Sequence, residues 1–187
     1  MTGITKRLAL TRDDWDDDLY PFVRSIWLKF VDGDPGAERK LLEVANVRTL
    51  QQLYQNVIDG DGPAIAGSFT PDVHYQWRGP DALPFTGELR GRDRVVEKMA
   101  GNFQELANQR PRIVSVCAQG NLIVVRLVED GLIRKTRVPY NIEAVQFFTF
   151  RDDRVAAFHA VADSSPFESL IEECALERRM KSEWAEV

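Results

Sequence analysis

The chain has 187 residues, 44% of them apolar, enough for one good core and too few to divide comfortably into two. With 24 basic against 29 acidic residues its net charge is −5, which removes the basic footprint of a nucleic-acid binder. No run approaches the ~20 apolar residues of a membrane span, and residues 1–10 hold no apolar stretch of signal-peptide length, so a cytoplasmic protein without a membrane partner is expected.

Residues 11–18 are acidic, which suits the start of a helix, where unpaired N–H groups favour negative charge. A helix is predicted over 19–31, with Phe22 or Val23, Ile26 or Trp27, and Phe30 on one apolar side. The turn chemistry of Asp32-Gly33-Asp34-Pro35-Gly36 ends it. From 37 to about 59 apolar residues recur at three- and four-residue steps, from Leu41 to Val57, predicting a long helix. Gly60-Asp61-Gly62-Pro63 breaks it and starts a short helix over 64–69, since proline is tolerated in a first turn. A first strand is expected at 73–77.

Residues 79–93 are rich in turn formers and end in a Gly-Arg-Asp step, with Asp93 as the expected N-cap of the next helix. Val95 or Val96, Met99, Phe103 and Leu106 form its apolar face, and Pro111 is expected to close it. Strands follow at 113–118, 122–129, 136–150 and 155–162, with turns at 119–121, 130–131 and 151–153. A last helix is predicted over 166–184. Helices first and consecutive strands afterwards indicate an α+β domain whose helices pack on one face of an antiparallel sheet. Such a sheet, curved over helices, encloses an apolar cavity of the kind that binds small molecules.

Cys117 and Cys174 lie too far apart in sequence for a metal motif; both are expected to be reduced and partly buried, a single bridge being the alternative. Two histidines on separate strands make no metal site, and no glycine-rich phosphate loop or nucleophile elbow is present, so neither a metal nor a cofactor is expected.

Ile58-Asp59-Gly60-Asp61, Phe69-Thr70-Pro71-Asp72-Val73, the steps Pro84-Phe85-Thr86-Gly87 and Gly91-Arg92-Asp93, then Pro139-Tyr140 and residues 148–155 occur in a fixed order. From Val47 to Phe167 this order resembles the SnoaL-like, ketosteroid-isomerase-related branch of the nuclear transport factor 2-like superfamily. The resemblance implies a cystatin-like α+β cone, a curved antiparallel sheet wrapped over N-terminal helices, with a deep pocket and a homodimer formed through the outer sheet face. It divides the chain into a helical extension over 1–45, the SnoaL-like domain over 46–168 and a C-terminal helix over 169–187. Residues 79–93 then become the loop at the pocket mouth.

The resemblance does not bring one reaction with it, because polyketide cyclases, isomerases, epoxide hydrolases and dehydratases share the fold. The acidic residue that cyclases and epoxide hydrolases keep on the last strand falls on Ala160. The carboxylates of the isomerases fall on Trp77 and Gln146, and their helix tyrosine on Leu53, with Tyr54 one step out of register. Alanine cannot take a proton, and a neutral glutamine can only orient a ligand.

The remaining ionisable candidates are His159 and Asp163, which lie four apart on the last strand and share a face opposite Phe158, Ala160 and Ala162. Either could serve as a catalytic base; alternatively His159 faces outward into a dimer contact and Asp163 caps a turn. Arg126, inside an apolar strand, could hold a carboxylate or enolate, or could point outward and pair across the sheet. Tyr75 and Trp77 share a strand face opposite His74 and Gln76.

The expected pocket takes Tyr54, Phe69, Tyr75 and Trp77 from the first half of the chain, and Met99 and Phe103 from the helix after the loop. Arg126, Gln146, Phe148, Phe158 and Ala160 complete it from the later strands. This predicts a protein that binds a small hydrophobic or aromatic metabolite. The alternative is an isomerase, polyketide cyclase, hydratase or epoxide hydrolase working by general acid–base catalysis. A third reading gives the first helix to a protein partner.

Overall fold

The computed structural model describes residues 20–79 and 84–163, with side chains from residue 24 onward. The acidic run at 11–18, Phe22 and Val23 as packing residues, Cys174 and the helix expected over 166–184 lie outside the described residues or side chains. Helix α1 spans Tyr20–Val31, α2 Pro35–Asp59 and α3 Gly62–Gly67. Strands β1 (Phe69–Arg78) and β2 (Gly87–Arg90) precede helix α4 (Arg92–Glu105). Strands β3 (Leu106–Gln119), β4 (Leu122–Ile133), β5 (Pro139–Arg151) and β6 (Arg154–Asp163) follow.

Local chemistry sets the helix ends. Asp34 caps α2 by accepting the Gly36 N–H at 2.8 Å, and Pro35 occupies the first turn, where its missing N–H costs nothing. Gly60 closes α2 at φ +70°, a left-handed turn that returns its N–H to the carbonyls of Asn56 and Val57. Asp61 repeats the device for α3, accepting from the Ala64 N–H at 3.0 Å. That helix stops at Gly67 instead of running on to Phe69, which begins β1.

The strands depart from their predicted bounds wherever a turn-forming residue is absorbed by pairing. β1 runs through Pro71, because its ladder to β6 is irregular between Phe69 and His74 and the missing N–H leaves no regular bond unmade. β2 went unpredicted; its four residues pair antiparallel with His74–Trp77 but are too few to show alternation. Asp93 is not the N-cap of α4. Gly91 holds that place, with no side-chain cap, and Asp93 sits in the first turn.

Pro111 does not close α4 either. The chain turns extended at Leu106, and β3 carries Pro111 within an edge strand, which tolerates a missing donor. Nor is Asp130-Gly131 a turn: β4 passes through both residues, and the turn falls at 134–137, where Arg137 takes φ +62°.

The six strands form one curved, unclosed sheet in the order β2-β1-β6-β5-β4-β3, antiparallel except between β1 and β6. β5 alternates exposed and buried at every residue, so one sheet face is core and the other is open. Leu50 and Leu53 of α2, Ile65 of α3 and Val95 of α4 pack with that inner face in the main core. Glu43 accepts the Gly120 N–H at 2.8 Å while Asn46 donates to the Gly120 carbonyl at 3.3 Å, which ties the β3–β4 turn to α2. Helix α1 lays Ile26, with Trp27 and Phe30, against Ala37, Leu41 and Ala45 of α2, so this apolar side is used within the chain. Cys117, expected to be partly buried, is exposed on β3.

A candidate binding site between α2 and the sheet

A cavity of about 90 Å³ lies between the helices and the inner face of the sheet. Helix α2 contributes Leu53, Tyr54 and Val57, and β1 contributes Phe69, Tyr75 and Trp77. Phe85, Met99 and Asn102 line it from the turn before β2 and from α4. The long strands add Gln109 and Pro111, Glu129, Gln146 and Phe148, and Phe158. The volume holds roughly six to nine water centres, space for a small organic molecule.

The wall is mainly aromatic because alternate residues of β1, β5 and β6 face inward. Tyr75 stacks on Phe158 with ring centroids 5.1 Å apart, Phe148 lies 5.0 Å from Phe158, and Trp77 sits 4.5 Å from Phe85. The Tyr75 hydroxyl donates to the Phe85 carbonyl and so ties the turn before β2 to the wall. Burial holds the Tyr75 hydroxyl well above its ordinary pKa, so it remains a neutral donor.

Two polar groupings interrupt this wall. In one, the Tyr54 hydroxyl donates to Gln146 Oε1 at 2.6 Å, joining α2 to β5. Burial, and then the nearby Glu129 charge, hold Tyr54 neutral by raising its pKa. In the other, Glu129 Oε1 accepts from the Tyr140 hydroxyl at 2.7 Å and from Gln109 Nε2 at 3.2 Å. Burial raises the Glu129 pKa above its ordinary 4.5, and the two hydrogen bonds oppose that rise. Gln109 Oε1 and Trp77 Nε1 are buried without a hydrogen-bond partner.

Tyr140 reaches Glu129 by lying across Gly131, its partner in the β4–β5 register. A Cβ at Gly131 would stand 2.5 Å from Cζ and Oη of Tyr140. The glycine that resembles a turn signal in the sequence is there to let a ring cross the strand.

Of the residues proposed from sequence, Tyr54, Phe69, Tyr75, Trp77, Met99, Gln146, Phe148 and Phe158 come together around the cavity. Leu53, at the position of the isomerases' helix tyrosine, lines it as well, and Tyr54 is the residue that reaches Gln146. Phe103 and Ala160 pack in the adjoining core and are not part of the lining. Arg126 lies on the outer face, half-exposed and paired with Glu143, because alternation along β4 turns it away from Val125 and Leu127.

His159 also lies on the outer face, beside Gln76 in the β1–β6 register, with its ring centroid 5.2 Å from that of His74. Its Nε2 is buried without a partner; burial, then the charges of His74 and Arg78, lower its pKa. Asp163 ends β6, exposed and opposite Glu143. Neither residue lines the cavity.

Glu129, Gln109 and Tyr140 were missed. Period-two alternation through Ile123, Val125 and Leu127 places Glu129 inward, but reading Asp130-Gly131 as a turn makes it a strand end. Among the described residues no group of three or more histidine, cysteine, aspartate or glutamate side chains is placed to hold a metal ion.

A curved sheet over helices with an aromatic cavity between them defines a nuclear transport factor 2-like α+β cone. Within that class the chain belongs to the SnoaL-like domain family, whose model matches residues 50–158. Among solved structures, it is similar to a nuclear transport factor 2-like protein of unknown function from Burkholderia pseudomallei, with 21% identity and a TM-score of 0.61 over 67% of this chain and 96% of that one. It is similar to TerC, co-crystallised with polyporic acid, with 22% identity and a TM-score of 0.60 over 68% and 98% of the two chains. A protein with a ketosteroid isomerase-like fold from Catenulispora acidiphila, solved in complex with trimethylamine, shares 13% identity at a TM-score of 0.53 over 60% and 82%. These likenesses establish the fold. A comparison with curated proteins finds no match. No helix among the described residues is long and apolar enough to cross a membrane.

Proposed function

We propose that this protein binds a small, largely apolar or aromatic metabolite in the cavity between α2 and the sheet. The observation that carries this reading is the aromatic wall itself, interrupted by the Tyr54–Gln146 pair, by Glu129 with Gln109, and by Asn102. Apolar surface of this kind gives affinity, and a few fixed polar groups give orientation. Complexes of similar folds with polyporic acid and with trimethylamine are compatible with it. The test is a thermal-shift and NMR screen of one- and two-ring metabolites, repeated on Val57→Trp, which fills the space. Hits that bind Val57→Trp as well as the wild type would place the ligand elsewhere and end the proposal.

A second reading, an isomerase, cyclase, hydratase or epoxide hydrolase working by proton transfer, is favoured by Glu129. A carboxyl with a raised pKa beside a ligand is suited to give or take a proton, and the Gln146 amide could donate to a substrate oxygen. In that case Glu129→Gln abolishes turnover while a substrate analogue still binds. Loss of binding together with activity would leave Glu129 a recognition group.

The outer sheet face is proposed to join two copies. Val145 and Phe147 of β5 and Val161 of β6 stand 36%, 39% and 54% exposed on it, and Val145 pairs with Val161 in the register. Sedimentation of wild type and Phe147→Glu decides: a dimer that the charge converts to monomer is expected, and a wild-type monomer contradicts it.

A further inference from the structure

The cavity holds one carboxyl and, among the described residues that line it, no lysine, arginine or histidine. Both described hydrogen bonds to Glu129 go to Oε1, from the Tyr140 hydroxyl at 2.7 Å and Gln109 Nε2 at 3.2 Å. Two donors on one oxygen suit an ionised carboxylate, which accepts shorter and stronger bonds than a neutral acid. Oε2 receives no hydrogen bond from the described residues and remains the carboxyl atom available to a bound molecule. Gln109, whose Nε2 donates to Glu129, has its own Oε1 buried with no partner. Two acceptor oxygens, one of them on a carboxyl, therefore accept no hydrogen bond from the described residues.

A partly buried ionised carboxyl gains from a proton or a counterion, which offsets its partial desolvation. The aromatic surroundings favour the same sign of charge. Ring faces carry negative quadrupole density and attract a cation close to them, and Tyr54, Trp77 and Phe148 line the cavity that Glu129 enters. An ammonium group supplies what is missing here: a positive charge, several N–H donors, and a hydrocarbon part for the apolar wall.

We propose that the cavity is selective for a compact organic cation, an aromatic or aliphatic amine whose ammonium nitrogen is held between Glu129 Oε2 and Gln109 Oε1. This rests on the reading of the cavity as a ligand site and names the charge of the ligand. The phenol of Tyr140 and the amide of Gln109 fix the carboxyl in place, and Gly131 allows the phenol to reach it. The polar pair at Tyr54 and Gln146 is a separate hydrogen-bonded group and is available to set the orientation of the rest of the molecule.

Three probes of nearly equal size test the charge directly: benzylamine, benzyl alcohol and benzoate, titrated at neutral pH by calorimetry and by NMR of the full chain. Benzylamine is expected to bind roughly tenfold or more tightly than benzyl alcohol, with benzoate weakest. Glu129→Gln, which keeps the shape, is expected to remove that advantage and leave benzyl alcohol within about threefold of its wild-type affinity. Equal binding of amine and alcohol, or preference for benzoate, overturns the cation proposal while leaving the ligand cavity standing. Binding of none of the three overturns both. If Glu129→Gln misfolds, the order of the three probes on the wild-type protein still decides.

Discussion

Gly131→Ala sets a local backbone benefit against a tertiary clash, and the structure says which wins. Alanine in the middle of a strand is ordinarily better than glycine by about 0.5–1 kcal/mol. Here its Cβ would stand 2.5, 2.5 and 2.6 Å from Cζ, Oη and Cε1 of Tyr140, against an ordinary contact of 3.4 Å or more. The ring must move by about 0.9 Å, the difference between 3.4 and 2.5 Å. It cannot do so freely, since Tyr140 packs with buried Phe85, Leu106 and Ile142. A shift of that size, if it runs along the 2.7 Å bond to Glu129, stretches it towards about 3.6 Å, beyond hydrogen-bond range.

The lost bond to a carboxyl costs about 1.5–3 kcal/mol and the overpacking about 1–3 kcal/mol, so, less the backbone benefit, the net expectation is a loss of about 1.5–5.5 kcal/mol. In a chain of this length that lowers Tm by roughly 3–20 °C. Urea and thermal unfolding measure it, and Tyr140→Ala supplies the control. With the ring gone, Gly131→Ala should cost less than about 0.5 kcal/mol, giving a coupling above about 1 kcal/mol. Wild-type stability of Gly131→Ala, or the same loss in both backgrounds, would refute the reasoning.

Gly101, inside α4 with nothing within 4 Å of the position a Cβ would take, is the opposite case: Gly101→Ala should stabilise by about 0.5–1 kcal/mol in denaturant unfolding, and a loss would mean an unseen contact. Because the Glu129 pKa is raised on folding above 4.5, its contribution to stability is fully present below pH 4.5 and is lost as pH rises through the folded value. Glu129→Gln should therefore gain on the wild type as pH rises above 4.5, measured as the difference in urea midpoints, and a difference independent of pH contradicts the raised value. Tyr54→Phe removes the donor to buried Gln146 Oε1 and should cost about 1–3 kcal/mol in thermal unfolding; a change under about 0.5 kcal/mol would show that the bond adds nothing.

The element order was legible because it depends on local chemistry. Asp34-Pro35 and Gly60 mark both ends of α2, and Gly120 and Asp152 take positive φ in the two turns expected at 119–121 and 151–153. Alternation along β1 and β6 separated Tyr75 and Trp77 from His74, and Phe158 from His159, so most of the aromatic wall could be named in advance. Failures came where a local signal was overruled across the sheet. Pro111 reads as a stop, yet an edge strand needs no donor there; Asp130-Gly131 reads as a turn, yet Tyr140 covers it. That second misreading concealed Glu129.

By itself, then, the sequence determined the order of helices α1–α4 and of strands β1 and β3–β6, and which side chains share a face, since periodicity and capping act within a few residues. Only the tertiary structure decided that Gln109 and Glu129, from different strands, meet at one cavity with Tyr140 of a third strand bonded to Glu129 behind it, while His159 and Arg126 face away. Their meeting depends on strand register and on a ring lying over a glycine. Both are contacts between residues distant in the chain, which no local pattern records.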